Sequence, residues 1–314
     1  MTLKFSKMHG LGNDFVMLDC LDGMPIDESK IGALSEAVCT QHFGVGGDGL
    51  ILILPDEESD YRMRMWNPDG SESEMCGNGI RCFAKYLFDA GKIGEGKVSV
   101  ATAKGLQSIE IEKGATRGAN PLQVRVDMGE PHLKRSQIPM RSSHESTPAG
   151  SSSNGHALDG TVIDEVLAVE HEGKSKNFNI TAVSRGNPHV VIFVDDVESV
   201  ALKELGFAIE HHDTFPSRTN VHFVQVIGPH KLWMRTWERG AGDTLACGSG
   251  ACAVGVASAL NNYLPENDRR ALVHLPGGDL DIEWAANNHV YMTGPAATIF
   301  SGEFNGEFLK EATE

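Results

Sequence analysis

Two stretches with a shared Cys-Gly-polar-Gly core decide the fold: Glu74-Met75-Cys76-Gly77-Asn78-Gly79-Ile80 and Leu245-Ala246-Cys247-Gly248-Ser249-Gly250-Ala251. Their cysteines lie 171 residues apart. The residue pattern after each cysteine predicts a helix, over 80–90 in the first case and over 251–262 in the second, and the flanking glycines favour a tight turn before it. The repetition predicts a duplicated chain whose two thiols act together.

Cysteines at helix N-termini have a chemical environment of their own. Unpaired amide hydrogens and the positive end of the helix dipole favour thiolate over thiol, and they also form a seat for a carboxylate. A lowered thiol pKa is therefore expected at both positions. Two such sites facing each other predict proton removal from one face of a small anionic substrate and proton return on the other face.

Other interpretations of the cysteines remain open. A cysteine at a glycine-rich turn is often a small buried hydrophobic residue. The spacings from Cys76 to Cys82 and from Cys247 to Cys252 do not match the short spacing of zinc ligands. A hydrolase with one nucleophilic cysteine and His189 leaves the second cysteine unexplained, and a non-catalytic binding protein gives no reason for either thiol.

Composition favours an ordinary globular protein of two domains. The chain has 314 residues, with 40% hydrophobic and 22% charged content, and no apolar run is long enough to span a membrane. The first residues lack a secretory signal pattern, which predicts a cytoplasmic location. The net charge of −16 argues against a nucleic-acid partner.

Short strands alternate with a few helices along the chain. The pattern predicts helices over 28–40 and 198–210, and strands over 3–9, 15–18, 50–54, 61–66, 97–101, 108–111, 124–128, 178–183, 190–194, 221–226 and 232–237. A second internal echo relates Gly12-Asn13-Asp14-Phe15-Val16 to Gly186-Asn187-Pro188-His189-Val190. Each half is therefore expected to contribute one asparagine loop and one cysteine helix to a shared cleft.

The chain closely resembles the diaminopimelate epimerase family. The resemblance rests on His9-Gly10-Leu11-Gly12-Asn13-Asp14-Phe15, Asn67-Pro68-Asp69-Gly70-Ser71, Met75-Cys76-Gly77-Asn78-Gly79, Arg185-Gly186-Asn187-Pro188-His189, Glu238-Arg239-Gly240 and Ala246-Cys247-Gly248-Ser249-Gly250-Ala251. It implies an isomerase that interconverts LL-2,6-diaminopimelate and meso-diaminopimelate on the route to lysine, without pyridoxal phosphate or a metal. It also implies a homodimer.

The resemblance further implies an α+β fold of two pseudo-symmetric lobes, each a curved mixed or antiparallel, barrel-like sheet around a central helix. The C-terminal strand, expected over 297–303, returns to the first lobe. The expected division is 1–140 plus 297–314 for the N-terminal lobe and 161–296 for the C-terminal lobe. A Ser-rich insertion over 141–160 is expected to be a flexible surface segment between them.

Site residues follow from the resemblance position by position. Cys76 and Cys247 are implied to be the proton-transfer pair, and His189 and Glu238 to adjust their protonation. Substrate contacts are implied for Asn13, Asn67, Asn187, Asn220, Glu238 and Arg239, and backbone or side-chain donors for Gly77, Asn78, Gly248 and Ser249. Amides and a guanidinium suit an ammonium and a carboxylate held in fixed directions.

One position departs from the family pattern, because Asp48-Gly49 stands where some members have Asp-Gln. Both residues are left out of the expected site, since an Asp beside a Gly is usually a turn former. Related enzymes of the same fold, such as proline or hydroxyproline racemases and a phenazine-pathway isomerase, remain the alternatives. The asparagine set and Arg239 favour a substrate with a second amino-acid head group, which proline lacks.

Overall fold

The computed structural model describes residues 2–112, 114–141, 160–171 and 173–313. The expected flexible insertion lies almost entirely outside the described residues. The chain divides into two compact units, unit 1 with residues 1–127 and 293–314 and unit 2 with residues 128–292. The boundaries expected from the sequence, after residues 140 and 296, both fall later in the chain than these divisions.

The described residues of the two units form seventeen strands and five α-helices. Unit 1 holds β1 Leu3–Gly10, β2 Asn13–Asp19, α1 Ile31–Cys39, β3 Gly49–Leu54, β4 Tyr61–Trp66, β5 Glu72–Ser73, α2 Gly77–Asp89, β6 Gly96–Thr102, β7 Gly105–Ile111, β8 Leu122–Asp127 and α5 Gly306–Thr313. Unit 2 holds β9 Glu165–His171, β10 Lys174–Ser184, β11 Pro188–Phe193, α3 Leu202–Glu210, β12 Asn220–Gly228, β13 Lys231–Glu238, β14 Gly242–Thr244, α4 Gly248–Leu260, β15 Arg270–Leu275 and β16 Gly278–Trp284. The long strand β17, Val290–Phe304, begins in unit 2 and ends in unit 1.

The sheet of unit 1 closes on itself. Successive pairings join β1 to β2, β3, β4, β6, β7 and β8, and β17 pairs with both β8 and β1. Closure into this eight-stranded barrel leaves no free sheet edge along the ring. The C-terminal strand thus returns to the first unit, as expected, although it extends well beyond 297–303.

Unit 2 repeats the pairing scheme of unit 1. The pairs β2–β3 and β11–β12 are parallel, and β3–β4 and β12–β13 are antiparallel. The correspondence continues with the parallel pairs β4–β6 and β13–β15 and the antiparallel hairpins β6–β7 and β15–β16. The expected α+β architecture of two similar halves, each with a mixed sheet and a central helix, is confirmed.

The two central helices are long and almost wholly buried. Both have 13 residues, and ten residues of each are buried. Helix α2 is surrounded by strands of unit 1 and α4 by strands of unit 2, with contacts to β1, β2, β3, β7 and β8 in the first case and to β10, β11, β12, β15 and β16 in the second. Among the described residues, no helix has the length and apolar character needed to cross a membrane.

Several helix boundaries differ from those expected. Helix α1 spans Ile31–Cys39 and is shorter at both ends than the predicted 28–40. Helices α2 and α4 begin at Gly77 and Gly248, three residues earlier than predicted, because the Gly-polar-Gly segments are the first helical turns and not the preceding loops. Helix α3 begins at Leu202 and not at residue 198. The predicted elements did not include strands β5, β9, β14, β15 and β16 or helix α5.

Phe15 offers a test of how much the core of unit 1 contributes to stability. Its side chain is fully buried, whereas Phe43 is 87% exposed. Phe15→Ala should lower the free energy of unfolding by about 3–5 kcal/mol because it leaves a cavity, whereas Phe43→Ala should change it by less than about 0.5 kcal/mol. Urea unfolding of the two variants compares the same chemical change at both positions, and equal losses would contradict this core assignment.

Candidate active site

Cys76 is the N-cap residue of α2. Its backbone is extended, with φ −125° and ψ 125°, while its carbonyl oxygen accepts the first helical hydrogen bond from the amide of Ile80. The thiol itself makes no capping bond to the helix backbone.

The Cys76 thiol lies against the carboxamide of Asn13. Its sulfur is 3.5 Å from Asn13 Oδ1, which also accepts a hydrogen bond of 3.1 Å from Asn78 Nδ2. The Nδ2 of Asn13 donates to Asp48 Oδ2 at 2.6 Å. Asp48 therefore determines which end of the Asn13 carboxamide faces the sulfur, because a carboxylate accepts hydrogen bonds only.

Asp48 is a functional candidate that the sequence analysis left out. Its Oδ2 also accepts from the backbone amide of Asp14 at 2.9 Å. The neighbouring Asp14 carboxylate forms an ion pair of 2.7 Å with the buried Lys7 ammonium, which also donates to the carbonyl of Gly46. The contact between Asp48 and Asn13 joins residues 35 positions apart, so the local Asp-Gly pattern carried no signal of it.

Arg81 stabilises the first turn of α2 through hydrogen bonds. This fully buried side chain donates from Nη2 to Asn78 Oδ1 at 2.8 Å and from Nη1 to the carbonyl of Gly77 at 3.0 Å. Its Nε donates to the carbonyl of Pro295 at 3.2 Å. Arg81 was also absent from the expected site. In the sequence, Arg81 lies within the predicted helix 80–90, and nothing in the local pattern distinguishes it from other helical residues.

Asn67 belongs to the tight turn between β4 and β5. Its Nδ2 donates to Ser71 Oγ at 3.0 Å, and its carbonyl oxygen accepts from the amide of Gly70 at 3.1 Å and from Ser35 Oγ at 2.9 Å. These contacts stabilise the Asn-Pro-Asp-Gly turn that delivers the chain to Cys76. In the described structure the half-buried Asn67 side chain therefore stabilises this turn.

Cys247 occupies the equivalent N-cap of α4, with φ −123° and ψ 102°. Its environment differs from that of Cys76. Burial, followed by the adjacent Glu238 carboxylate, raises the pKa of the Cys247 thiol well above its usual range. The amide of Gly250 and the hydroxyl of Ser249 act in the opposite direction but are outweighed. The expected lowering of the thiol pKa is therefore wrong for Cys247, because desolvation and a neighbouring negative charge exceed the effect of the helix N-terminus.

Glu238 lies at the end of β13, where it accepts a hydrogen bond from the Cys247 thiol. Its Oε1 accepts a second bond of 2.6 Å from Thr244 Oγ1. Ser249 Oγ is 3.8 Å from the Cys247 sulfur. Among the residues expected in the site, Glu238 and Ser249 thus each contact Cys247. Thr244, which was not expected, contacts Glu238.

His189 is fully buried at the start of β11. Its Nε2 is 3.0 Å from Asn187 Oδ1, and its Nδ1 is 2.9 Å from Nε2 of the equally buried His222. His222 Nδ1 is in turn 3.0 Å from Thr236 Oγ1. Asn187 and His189, which were expected in the site, therefore belong to a chain of four hydrogen-bonded side chains. The other two members, His222 and Thr236, were not expected from the sequence.

Asn220 and Arg239 are joined, but through the backbone of Arg239. The buried Asn220 side chain donates to the carbonyl of Pro188 at 2.9 Å and accepts from the amide of Arg239 at 3.0 Å. The exposed Arg239 guanidinium donates from Nη1 to the carbonyl of Ser217 at 3.1 Å. Asn220 thus ties the asparagine loop before β11 to the residue that follows Glu238.

Comparison with known proteins identifies the family of the chain. The family model described as diaminopimelate epimerase matches residues 5–134 and 181–299, which include every residue discussed above. The chain belongs to the diaminopimelate epimerase family. The family resemblance inferred from the sequence is confirmed. The expectation that the chain is an isomerase is confirmed with it.

Individual relatives support this membership over nearly the whole chain. The diaminopimelate epimerase of Pelotomaculum thermopropionicum is 48% identical over 304 residues, covering 96% of this chain and 99% of the relative. The diaminopimelate epimerase of Desulfitobacterium hafniense is 46% identical over 300 residues, covering 96% of this chain and 97% of the relative.

Solved structures share the fold at much lower sequence identity. A phenazine biosynthesis protein of the PhzF family from Bacillus anthracis has a TM-score of 0.64 at 16% identity, with coverage of 97% of this chain and 99% of the other. A hydroxyproline epimerase from Agrobacterium vitis has a TM-score of 0.62 at 16% identity, with coverage of 96% and 91%. These likenesses concern the fold alone.

The contact between Glu238 and Cys247 makes a testable prediction about thiol reactivity. Glu238→Gln removes the negative charge that helps to raise the pKa of Cys247, so the pKa should fall and more thiolate should be present at a given pH. The pH at half-maximal rate of Cys247 alkylation, followed by mass spectrometry, should therefore shift downward. Glu266→Gln, at an exposed position of unit 2, is the control and should leave that midpoint in place. An unchanged midpoint in Glu238→Gln would show that the carboxylate charge does not govern this thiol.

Proposed function

We propose that this protein is a diaminopimelate epimerase that interconverts LL-2,6-diaminopimelate and meso-diaminopimelate without a cofactor, in lysine biosynthesis. The observation that carries the proposal is the equivalent placement of Cys76 and Cys247, each at the N-cap of a buried 13-residue helix, in a chain of this family. Identity of 44–48% to curated diaminopimelate epimerases over 96% of the chain supports the choice of substrate.

The reaction requires one base and one acid. An amino-acid α-proton is weakly acidic, so a thiolate removes it while a thiol on the other face supplies the replacement. In one direction Cys76 is the base and Cys247 the acid, and the roles reverse for the opposite configuration. The raised pKa of Cys247 supports its assignment as the proton donor in the resting enzyme.

Glu238 and His189 adjust the protonation of the thiols in this proposal. Glu238 acts directly on Cys247, because its carboxylate accepts the thiol hydrogen bond and favours the protonated form. Thr244 holds the carboxylate in this orientation through its 2.6 Å hydrogen bond. A Cys247 thiol held in its protonated form is the starting state that a proton donor requires.

The remaining site residues bind and polarise the substrate. Amide donors and acceptors from Asn13, Asn67, Asn187 and Asn220, together with the Arg239 guanidinium, suit the second head group of diaminopimelate. Backbone and side-chain donors at the two helix N-termini stabilise negative charge at the reacting centre as the carbanion develops. They are supplied by Gly77, Asn78, Gly248 and Ser249.

A cytoplasmic location is part of the proposal. No disulfide bond joins cysteines in the described part of the chain, and a two-thiol mechanism requires that Cys76 and Cys247 stay reduced. A reducing compartment meets that requirement.

Isotope exchange tests the proposed reaction. In deuterated water with reductant, the protein should convert LL-diaminopimelate to the meso isomer with deuterium at the α-carbon. Cys76→Ala and Cys247→Ala should each lower the epimerisation rate by about 10²–10⁴-fold, because each removes one proton-transfer group. Chiral chromatography and NMR measure the isomer ratio and the deuterium content.

Cys39→Ala serves as the control, since Cys39 is a buried cysteine of α1, and it should keep wild-type turnover. Exchange with proline but not with diaminopimelate would replace the proposed substrate. Tight binding of diaminopimelate with no exchange at all would instead favour a non-catalytic binding protein.

A homodimer is also proposed, with the outer surface of β17 as the contact. Ile299 and Phe300 are 51% and 47% exposed there, and apolar side chains side by side on a strand favour burial against another chain. Wild-type protein should have the mass of a dimer by light scattering, and Ile299→Lys should shift it to the monomer. Phe43→Lys, at a residue that is 87% exposed, is the control and should remain dimeric. A monomeric wild-type protein would refute this contact.

A further inference from the structure

The internal repeat identifies three buried positions whose chemistry differs between the two units. Residues 15, 51 and 65 of unit 1 correspond to residues 189, 222 and 236 of unit 2. The strand registers establish this, because Phe15 pairs with Gly49 as His189 pairs with Asn220. Ile51 likewise pairs with Met65 as His222 pairs with Thr236.

In unit 1 these positions are apolar. Phe15 and Ile51 are completely buried and Met65 is 6% exposed. Gly79 of the cysteine helix lies directly over Ile51, where an added Cβ would be 2.8 Å from Cδ1. An apolar set of side chains is therefore sufficient to pack the strands against the first turn of the helix.

In unit 2 the same positions are polar and equally buried. His189 and His222 are completely buried and Thr236 is 2% exposed. Gly250 lies against the His222 ring, where an added Cβ would overlap it, just as Gly79 lies against Ile51. Burial of polar groups costs free energy that the apolar set avoids, so packing alone does not explain the two histidines.

One direction of hydrogen bonding satisfies every member of this polar set when Asn187 Oδ1 faces His189. Asn187 Oδ1 can only accept, so His189 carries its proton on Nε2, 3.0 Å away. In this arrangement Nδ1 of His189 accepts the Nε2–H of His222 at 2.9 Å. His222 Nδ1 must accept in turn, and the Thr236 hydroxyl donates to it at 3.0 Å. Burial lowers the pKa of His222 to about 3, which keeps this ring neutral.

We infer that His222 and Thr236 are positioning residues that act through His189. Together they fix the Nε2–H tautomer of His189. This tautomer keeps Asn187 Oδ1 facing His189, so that the Nδ2 end of the carboxamide has a single orientation. Only the expected effect of these residues on turnover rests on the proposed function. The tautomer itself is a property of the free protein.

The first test replaces His222 with the residue of the equivalent position in unit 1. His222→Ile keeps a side chain that packs under the helix glycine but removes the donor to His189 Nδ1. NMR of ¹⁵N-labelled histidine in the free protein should show one Nε2–H tautomer of His189 in the wild type and a mixture in His222→Ile. Turnover of diaminopimelate should fall about 10-fold, the order of one lost hydrogen bond to a site residue.

A conservative variant separates positioning from packing. The side-chain amide of glutamine can place a donor near the Nε2 position of the histidine ring, so His222→Gln should restore the single His189 tautomer and turnover to within about threefold of wild type. Ile51→Val is the matched control in unit 1 and should change neither. Should His222→Ile fail to fold, Thr236→Val removes only the hydroxyl donor, and the ¹⁵N resonance of His222 Nδ1 should then move to the position of an unbonded nitrogen.

Two results would overturn the inference: a single Nε2–H tautomer of His189 with full turnover in His222→Ile, or an unmoved His222 Nδ1 resonance in Thr236→Val. Failure of the proposed function gives a different pattern. In that case the wild-type protein would not turn over diaminopimelate, while the tautomer measurements would still decide the roles of His222 and Thr236.

Discussion

The close approach of two helix N-termini to the strands beneath them is the constraint on which the structure depends. At the third residue after each cysteine only glycine fits, because a Cβ at Gly79 or Gly250 would collide with the side chain below. This contact fixes the first turn of each helix, and with it the extended backbone of the N-cap cysteine. The position of each sulfur therefore follows from packing in the core and not from a flexible loop.

The two units use one backbone arrangement to produce two different thiol environments. Cys76 meets the carboxamide of Asn13, whose orientation is set by Asp48. Cys247 meets the carboxylate of Glu238 in a fully desolvated setting, which raises its pKa. One backbone arrangement thus places the two thiols in different chemical environments, one against a carboxamide and one against a carboxylate.

The sequence predicted much of the fold because its signals are local. Alternating apolar residues located most strands, and the Cys-Gly-polar-Gly repeat located both central helices. The starts of those helices were placed three residues too late, since a Gly-polar-Gly segment is typical of a turn unless a helix dipole and a buried contact stabilise it as a first turn. Helix α3 starts at Leu202, so residues 198–201 are not helical despite their composition.

The site was only partly predictable for a related reason. Motif residues such as Cys76 and Glu238 are identified by neighbours in sequence, whereas Asp48 and His222 are identified by partners in space. The histidine sits in an alternating run of strand β12 that resembles any half-polar strand. The thiol pKa of Cys247 also depends on total burial, which no short motif encodes. Alignment of the two halves at an offset of 171 residues is the one sequence signal that makes His222 the counterpart of Ile51.

Three cysteines outside the candidate site lie where burial suppresses the chemistry of the thiol. Burial raises the pKa of Cys20 and of Cys39 to about 11, and that of Cys82 to about 12. At neutral pH these three side chains are almost never ionised, so peroxide and electrophilic metabolites, which attack the thiolate, find little to react with. Burial thus keeps these three cysteines chemically inert, so that they serve only as packing residues in the core of unit 1.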